Sequence, residues 1–418
     1  MRKIKSILVK VVLMIATINI SLAGLGMFAT AKAASSSAFS MDARAVYAID
    51  AKTGQVLYQK NAVKKYPIAS VIKILTLGVI EQDIRNHKLS WNQKIKITPA
   101  VAKMASDWRF SNVQLNKGEK YTVRQLVESM MLVSADGSTE ALALADAGST
   151  QAFNKKMQAF AKKAGVTDAK IYNMIGLPNG DLGKHRLKNV DKDAENLLSA
   201  KDVALISRYL VQKYPETLKI TKKKFANFDV TKGQQYLMTN VNALLPQNGY
   251  APQNWNIDGL KTGNTDRAGK CIVTTGTYNG HRVILVALKT KGDWNNQSKM
   301  QQEFYNQLAN DFQTVNVKKL SDISNKFNKV KITNGKDHKS IKLKLAKQTT
   351  VWLPKTQTLQ QTKPTLEIKK QYRGKNGQLK APVKKGQVIG YLKLHINGLP
   401  TMSIPVSADQ TIQKDSLF

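Results

Sequence analysis

The chain has 418 residues, 65 of them Lys or Arg and 28 Asp or Glu, for a formal net charge of +37. At ~100–200 residues per domain the length suggests two or three domains, and 42% hydrophobic residues exclude a wholly disordered chain. One cysteine excludes an intramolecular disulfide framework and a cysteine-based zinc site, and the charge points to a polyanionic setting: nucleic acid, anionic lipid or an acidic wall polymer.

Residues 1–33 read as a secretory signal. Arg2, Lys3, Lys5 and Lys10 give a basic start, apolar residues run on to Ala29, and Ala31-Lys32-Ala33 is a small-residue cleavage site. An uncleaved anchor is the alternative, disfavoured by Lys10 and the small-residue ending. Cleavage removes five basic and no acidic residues and leaves +32. Export argues against nucleic acid, and the basic residues form no block interleaved with aromatics. An exported protein without disulfides suits a bacterium, where the polyanion is the cell surface. No later stretch is long and apolar enough to span a bilayer.

After a small polar lead at 34–38, Arg44–Asp50 and Gln55–Lys60 alternate as strands around the turn Ala51-Lys52-Thr53-Gly54. Ser70–Arg85 is expected to be a helix, and helical patterns follow at Val123–Val133, Thr139–Ala147, Gln151–Ala164 and Ala200–Tyr214. Lys270–Tyr278 and His281–Thr290 are strand-like and meet at Asn279-Gly280, a hairpin signal; Lys299–Phe312 returns to helix. A helical block flanked by strands from both ends is most simply one antiparallel sheet covered by helices. Beyond Val315, short strands are expected at Ser340–Leu345, Thr350–Leu353, Thr365–Lys370, Val388–His395 and Thr401–Val406. The expected organisation is α+β: a signal at 1–33, a mixed domain at 34–314 and a small all-β domain at 315–418. That last region carries 21 basic and 5 acidic residues, half of the mature excess.

Three elements carry candidate chemistry. Ser70-Val71-Ile72-Lys73 is the single Ser-x-x-Lys of the chain, and on a helix it puts both side chains on one face. A lysine among apolar neighbours can lose its proton near neutral pH and activate the hydroxyl. By itself the spacing reads more readily as a Ser N-cap and a surface Lys, because Ser and Lys fall at this spacing often by chance. Ser134-Ala135-Asp136 falls in the break between two helices. Lys261-Thr262-Gly263 opens the second β-rich run, where a basic and a hydroxyl residue beside a glycine would suit a ligand carboxylate. A second Lys-Thr-Gly, Lys52–Gly54, belongs to a hairpin turn. The five histidines have no metal-ligand spacing, and Cys271, flanked by Ile272 and Val273, reads as packing.

These elements resemble those of the penicillin-recognising serine peptidases. Thr53–Tyr58, Pro67–Ser70, Tyr121–Leu126, Gly176-Leu-Pro178, Asp258–Gly269 and Leu379–Gly386 with Gly390 extend the resemblance over nearly all of residues 40–410. Together they look like the low-molecular-weight D-alanyl-D-alanine carboxypeptidases. The resemblance implies a β-lactamase/transpeptidase-like catalytic domain and a C-terminal β domain. It makes Ser70 the nucleophile, Lys73 the base and Ser134 a proton relay. Asp136, Lys261, Thr262, Gly263 and Asn264 would bind substrate, with backbone N–H groups of Ser70 and Asn264 as the oxyanion hole. It implies no metal or organic cofactor, peptidoglycan stem peptides as substrate and β-lactams as inhibitors.

Asp136 departs from the family's Ser-x-Asn. An amide can donate to substrate and accept from Lys73, whereas an ionised carboxylate only accepts and would hold Lys73 protonated. The alternatives are a secreted β-lactamase, with Glu195-Asn-Leu-Leu198 nearest to a deacylating-glutamate motif, and an impaired wall-binding protein with Asp136 as the lesion. The family's amphipathic C-terminal membrane helix is not expected in Thr411–Phe418, so surface retention is assigned to anionic wall polymers or lipid head groups acting on the basic charge.

Overall fold

The computed structural model describes residues 37–416 apart from Gln247; the segment read as a signal lies outside them. Ala43–Asp50 (β1) and Val56–Lys60 (β2) form the expected hairpin, whose turn is closed by the Thr53 N–H and hydroxyl donating to Asp50 Oδ1. Asn256–Gly263 (β3), Lys270–Tyr278 (β4) and His281–Thr290 (β5) follow far along the chain. The five strands make one antiparallel sheet in the order β2-β1-β5-β4-β3. Its middle joins the two ends of the segment, with Val46 opposite Ala287 and Ala48 opposite Leu285. Asn279 and Gly280 both take positive φ, as a tight hairpin turn requires.

Both sheet faces are apolar, so helices or strands must cover each. Tyr47, Ile49, Ile284, Val286 and Val273 face a helical layer. That layer comprises Lys73–Arg85 (α1), Pro99–Ala105 (α2), Val123–Leu132 (α3), Asp136–Ala147 (α4), Thr150–Lys163 (α5), Ala200–Lys213 (α6) and Thr217–Thr221 (α7). α1 is buried on nearly every side, from Lys73 through Asp83, which makes it the axis of the layer. Gly78 lets α5 close on it: a Cβ there would lie 2.4 Å from the Phe160 ring. Thr122 and Gln125 form a capping box that starts α3.

Val46, Ala48, Val283, Leu285 and Ala287 face the other way, onto Trp294–Asp311 (α8) through Phe304, Tyr305 and Leu308. This second core continues without a break into the β-rich region, where Trp352 is wholly buried. The Trp352 indole N–H donates to Asp50 Oδ2 at 2.9 Å, and its backbone N–H and C=O both pair with the Gln55 amide. The Lys52–Gly54 turn is therefore a docking corner for the β-rich region.

The β-rich region pairs Phe312–Val317 with Thr349–Pro354 and builds a four-stranded sheet from Leu343–Leu345, Met402–Ala408, Val388–Leu394 and Thr365–Ile368. The boundary expected between 314 and 315 falls inside strand Phe312–Val317. The hairpin Phe225–Thr239 is the largest element that the sequence reading passed over; its exposed, lysine-flanked strands lack a clean apolar alternation. No helix among the described residues is long and apolar enough to cross a membrane.

Candidate active site

The helix expected from Ser70 is broken at its start. Ala69–Ile72 form a 3-10 turn, Ala69 takes φ +49°, and α1 proper begins at Lys73. Two glycine backbones press on this turn. A Cβ on Gly263 would lie 2.9 Å from the Ser70 and Val71 nitrogens, and one on Gly176 would lie 2.2 Å from the Ala69 carbonyl oxygen. Ser70 is the second residue of the turn, where N–H groups have no acceptor within the helix and point outward.

Lys73 is fully buried, and its Nζ lies 2.7 Å from Ser70 Oγ, 3.4 Å from Ser134 Oγ, 2.6 Å from Asp136 Oδ1 and 3.0 Å from the Ile175 carbonyl oxygen. A neutral amine has two N–H donors and one lone pair. Asp136 and Ile175 can take the two donors, which leaves the lone pair facing Ser70 Oγ. Burial pushes the Lys73 pKa below the ordinary lysine value, with Asp136 opposing it. Burial raises the Asp136 carboxyl, with Lys73 and Lys261 opposing it. Burial thus draws the proton affinities of the two members toward each other.

Ser134, the middle of three residues between α3 and α4, takes φ +64°, a conformation that costs of order 1–3 kcal/mol for a residue with a Cβ. This kink turns its hydroxyl toward Lys73. Asp136 is the first residue of α4 rather than part of the break. Its N–H donates to the Ser111 carbonyl, and the Gly137 N–H donates to Asn112 Oδ1, so the 107–112 loop caps the helix.

Lys261, Thr262 and Gly263 end the edge strand β3, paired with β4 up to Gly263 opposite Cys271. Ser70, Ser134, Asp136, Thr262, Gly263 and Asn264 line one cleft of about 540 Å³, with Trp294 and Val241 exposed at its wall. Lys73 and Lys261 stand behind this lining. Lys261 is 2% exposed, its Nζ donates to the Thr262 carbonyl, and burial together with Lys73 holds its pKa well below the lysine range. Cys271 is buried beneath the same strand, and burial pushes its thiol up to about 12, which leaves it inert.

A second cavity of about 860 Å³ shares Arg109, Phe110, Leu177 and Asn264 with the cleft and is lined by Asp181, Asp191, Asp193, Glu195 and Asp266. Glu195 is 2% exposed and lines this neighbouring cavity, not the cleft holding Ser70; Thr265 Oγ1 donates to its carboxylate at 2.7 Å. Its carboxylate braces the loop that carries Asn264. Among the described residues no group of three or more His, Cys, Asp or Glu is placed to hold a metal ion.

The sequence reading missed the 172–177 turn that brings the Ile175 carbonyl to Lys73. Asn196 Oδ1 accepts from the Tyr172 and Asn173 N–H groups, and Asn173 Oδ1 accepts from those of Ile175 and Gly176. Two wholly buried asparagines in apolar surroundings were the available signal. Gly176, at φ +101°, cannot take a side chain without displacing Ala69 and Ser70. Gly176→Ala is expected to slow acylation by penicillin by up to roughly 100-fold while the protein still folds. A wild-type acylation rate in a stopped-flow assay would show that this contact does not position the nucleophile.

Comparison with known proteins agrees with this geometry. A profile of the family described as D-alanyl-D-alanine carboxypeptidase (peptidase S11) matches residues 30–292, and one of the penicillin-binding protein 5 C-terminal domain matches residues 312–414. The chain is 29% identical over 391 residues to D-alanyl-D-alanine carboxypeptidase DacC of Escherichia coli (strain K12), covering 91% of this chain and 86% of that protein. It is similar to the solved structure of a peptidoglycan synthesis regulatory factor (PBP3) from Streptococcus pneumoniae, with a TM-score of 0.65 and 26% identity over 90% of this chain and 100% of that one. It is also similar to penicillin-binding protein D2 of Listeria monocytogenes in its cefotaxime-bound form, with a TM-score of 0.51 and 27% identity over 64% of this chain and 96% of that one. With the first profile running through more than half of its length, on the fold and cleft described, this chain belongs to the D-alanyl-D-alanine carboxypeptidase family.

Proposed function

We propose that this enzyme removes the terminal D-alanine from peptidoglycan stem pentapeptides through an acyl-enzyme on Ser70, outside the cytoplasmic membrane. The observation that carries the reading is the buried Lys73 amine, 2.7 Å from Ser70 Oγ and 3.4 Å from Ser134 Oγ, behind a cleft that both serines line. Ser70 Oγ attacks the carbonyl of the penultimate D-alanine as its proton passes to Lys73 Nζ. The tetrahedral oxyanion is met by the backbone N–H groups of Ser70 and Asn264. The C–N bond then breaks; Ser134 gives its proton to the leaving amine and regains one from Lys73. Water attacks the ester with Lys73 again as base, and Ser70 is restored. The substrate's terminal carboxylate meets the Thr262 hydroxyl, with the Lys261 ammonium or amine beneath it. β-Lactams, whose ring carbonyl takes the place of the scissile one, acylate Ser70 and stay.

The reading is tested by giving the mature protein a pentapeptide ending in D-Ala-D-Ala and a fluorescent penicillin. Release of free D-alanine and a label that survives denaturation are expected. Rapid loss of the label with free penicilloate would mean a β-lactamase; no label and no release from a folded protein would mean a binding protein.

Asp136 sets where in pH this chemistry runs. Its negative charge raises the Lys73 pKa, so removing the charge lowers it and puts the neutral amine within reach at lower pH. Asp136→Asn is expected to keep or raise turnover and to move the acid limb of the acylation pH profile downward. A collapse of turnover in a folded variant would show instead that the carboxylate itself takes part.

A further inference from the structure

Five lysines of the β-rich region converge on one place. Lys318, Lys319, Lys342, Lys344 and Lys347 line a cavity of about 630 Å³ together with Leu320, Ser321, Asn328, Leu343, Leu345 and Gln348, and no carboxylate lines it. All five lysines are exposed, and none is ion-paired among the described residues. The alternation Ile341-Lys-Leu-Lys-Leu345 explains part of the clustering. Residues two apart on a strand share a face about 7 Å apart, so Lys342 and Lys344 project together while Leu343 packs into the core. Lys318 and Lys319 follow the end of strand Phe312–Val317, and Lys347 stands in the turn before Thr349–Pro354. Asp322, beside Lys318 and Lys319, has its Oδ2 committed to their backbone N–H groups, at 2.9 and 3.0 Å.

We propose that this cavity binds a linear phosphodiester polymer of the bacterial surface and thereby holds the enzyme at the wall. Several ammonium groups in one concave site match a chain of monoanionic phosphates, each needing a point charge rather than the planar fork of an arginine. The exposed large apolar side chains among the described residues all lie at or before Trp294, so the described residues of the β-rich region offer no apolar anchor for a membrane surface. No aromatic side chain lines the cavity, so it has no platform for stacking nucleic-acid bases.

The test uses the mature full-length enzyme and poly(glycerol phosphate) of defined length at low salt. K342Q/K344Q/K347Q is compared with K370Q/K375Q/K384Q, which removes the same charge from exposed lysines elsewhere in the region. The cavity variant is expected to lose roughly tenfold or more in affinity, the other less than about threefold, and wild-type binding to fall steeply with added salt. D-alanine release from a soluble pentapeptide should be the same in all three proteins. Equal losses in the two variants would reduce the site to diffuse surface charge. Tighter binding to phosphatidylglycerol vesicles than to the polymer would assign it to lipid. Either result, or no polymer binding at all, overturns the proposal.

Discussion

Ser70→Ala is expected to lower D-alanine release at least roughly 10⁴-fold and to leave no stable penicillin label. The change removes one hydroxyl from a partly exposed position and leaves the glycine-framed turn intact, so Tm should move by no more than about 4 °C. Ser134 cannot substitute, because it stands 3.4 Å from Lys73 Nζ against 2.7 Å for Ser70 and its helix-breaking conformation aims it at the lysine. Cys271 cannot either, being wholly buried with its thiol pushed up to about 12. A covalent penicillin adduct in the variant, located by mass spectrometry on another residue, would remove Ser70 from the mechanism.

Lys73→Met should do almost as much damage to catalysis and far more to the fold. Loss of a general base costs typically 10²–10⁴ in rate, and in the proposed mechanism the same group serves both acylation and deacylation, so a fall of about 10³-fold or more in acylation is expected. The substitution also leaves Asp136 buried without its partner, and breaking a buried ion pair from one side costs about 3–5 kcal/mol. Adding Asp136→Asn removes the stranded charge. The double variant should therefore recover most of the lost Tm while acylation stays as low as in Lys73→Met. Recovery of acylation along with Tm would mean that Lys73 acts only by holding Asp136 in place. No recovery of either would mean that the pair contributes little to stability.

Much of the site could be read from the chain because its chemistry sits in short local patterns. Ser70 and Lys73 are three residues apart, Ser134 and Asp136 two, and Lys261 to Asn264 are consecutive. The hairpins at 44–60 and 270–290 were legible for the same reason: alternation and turn residues act over a few positions. The 3-10 turn at Ala69 was not legible, because helical periodicity runs straight through it. Gly176 and Gly263, more than a hundred residues away, break the helix there by occupying the space that a regular first turn would need. The Ile175 carbonyl was hidden for a plainer reason: every residue has one, and the brackets from Asn173 and Asn196 decide which carbonyl reaches Lys73.

Charge divides in the same way. The excess of basic residues, its concentration after residue 315, the N-terminal stretch read as a signal and Asp136 in the Ser-x-Asp triplet are all properties of the sequence. Whether those charges matter is a question of distance and burial. The chain alone could not say that Lys261 lies behind the cleft rather than in it, that Glu195 braces a loop, or that five lysines from two stretches of the chain line one cavity. Local pattern determines which residues are available, since helix, strand and turn preferences act over a few positions. Folding determines which of them lose water and meet, and both the pKa of Lys73 and the pull of a lysine cluster follow from that.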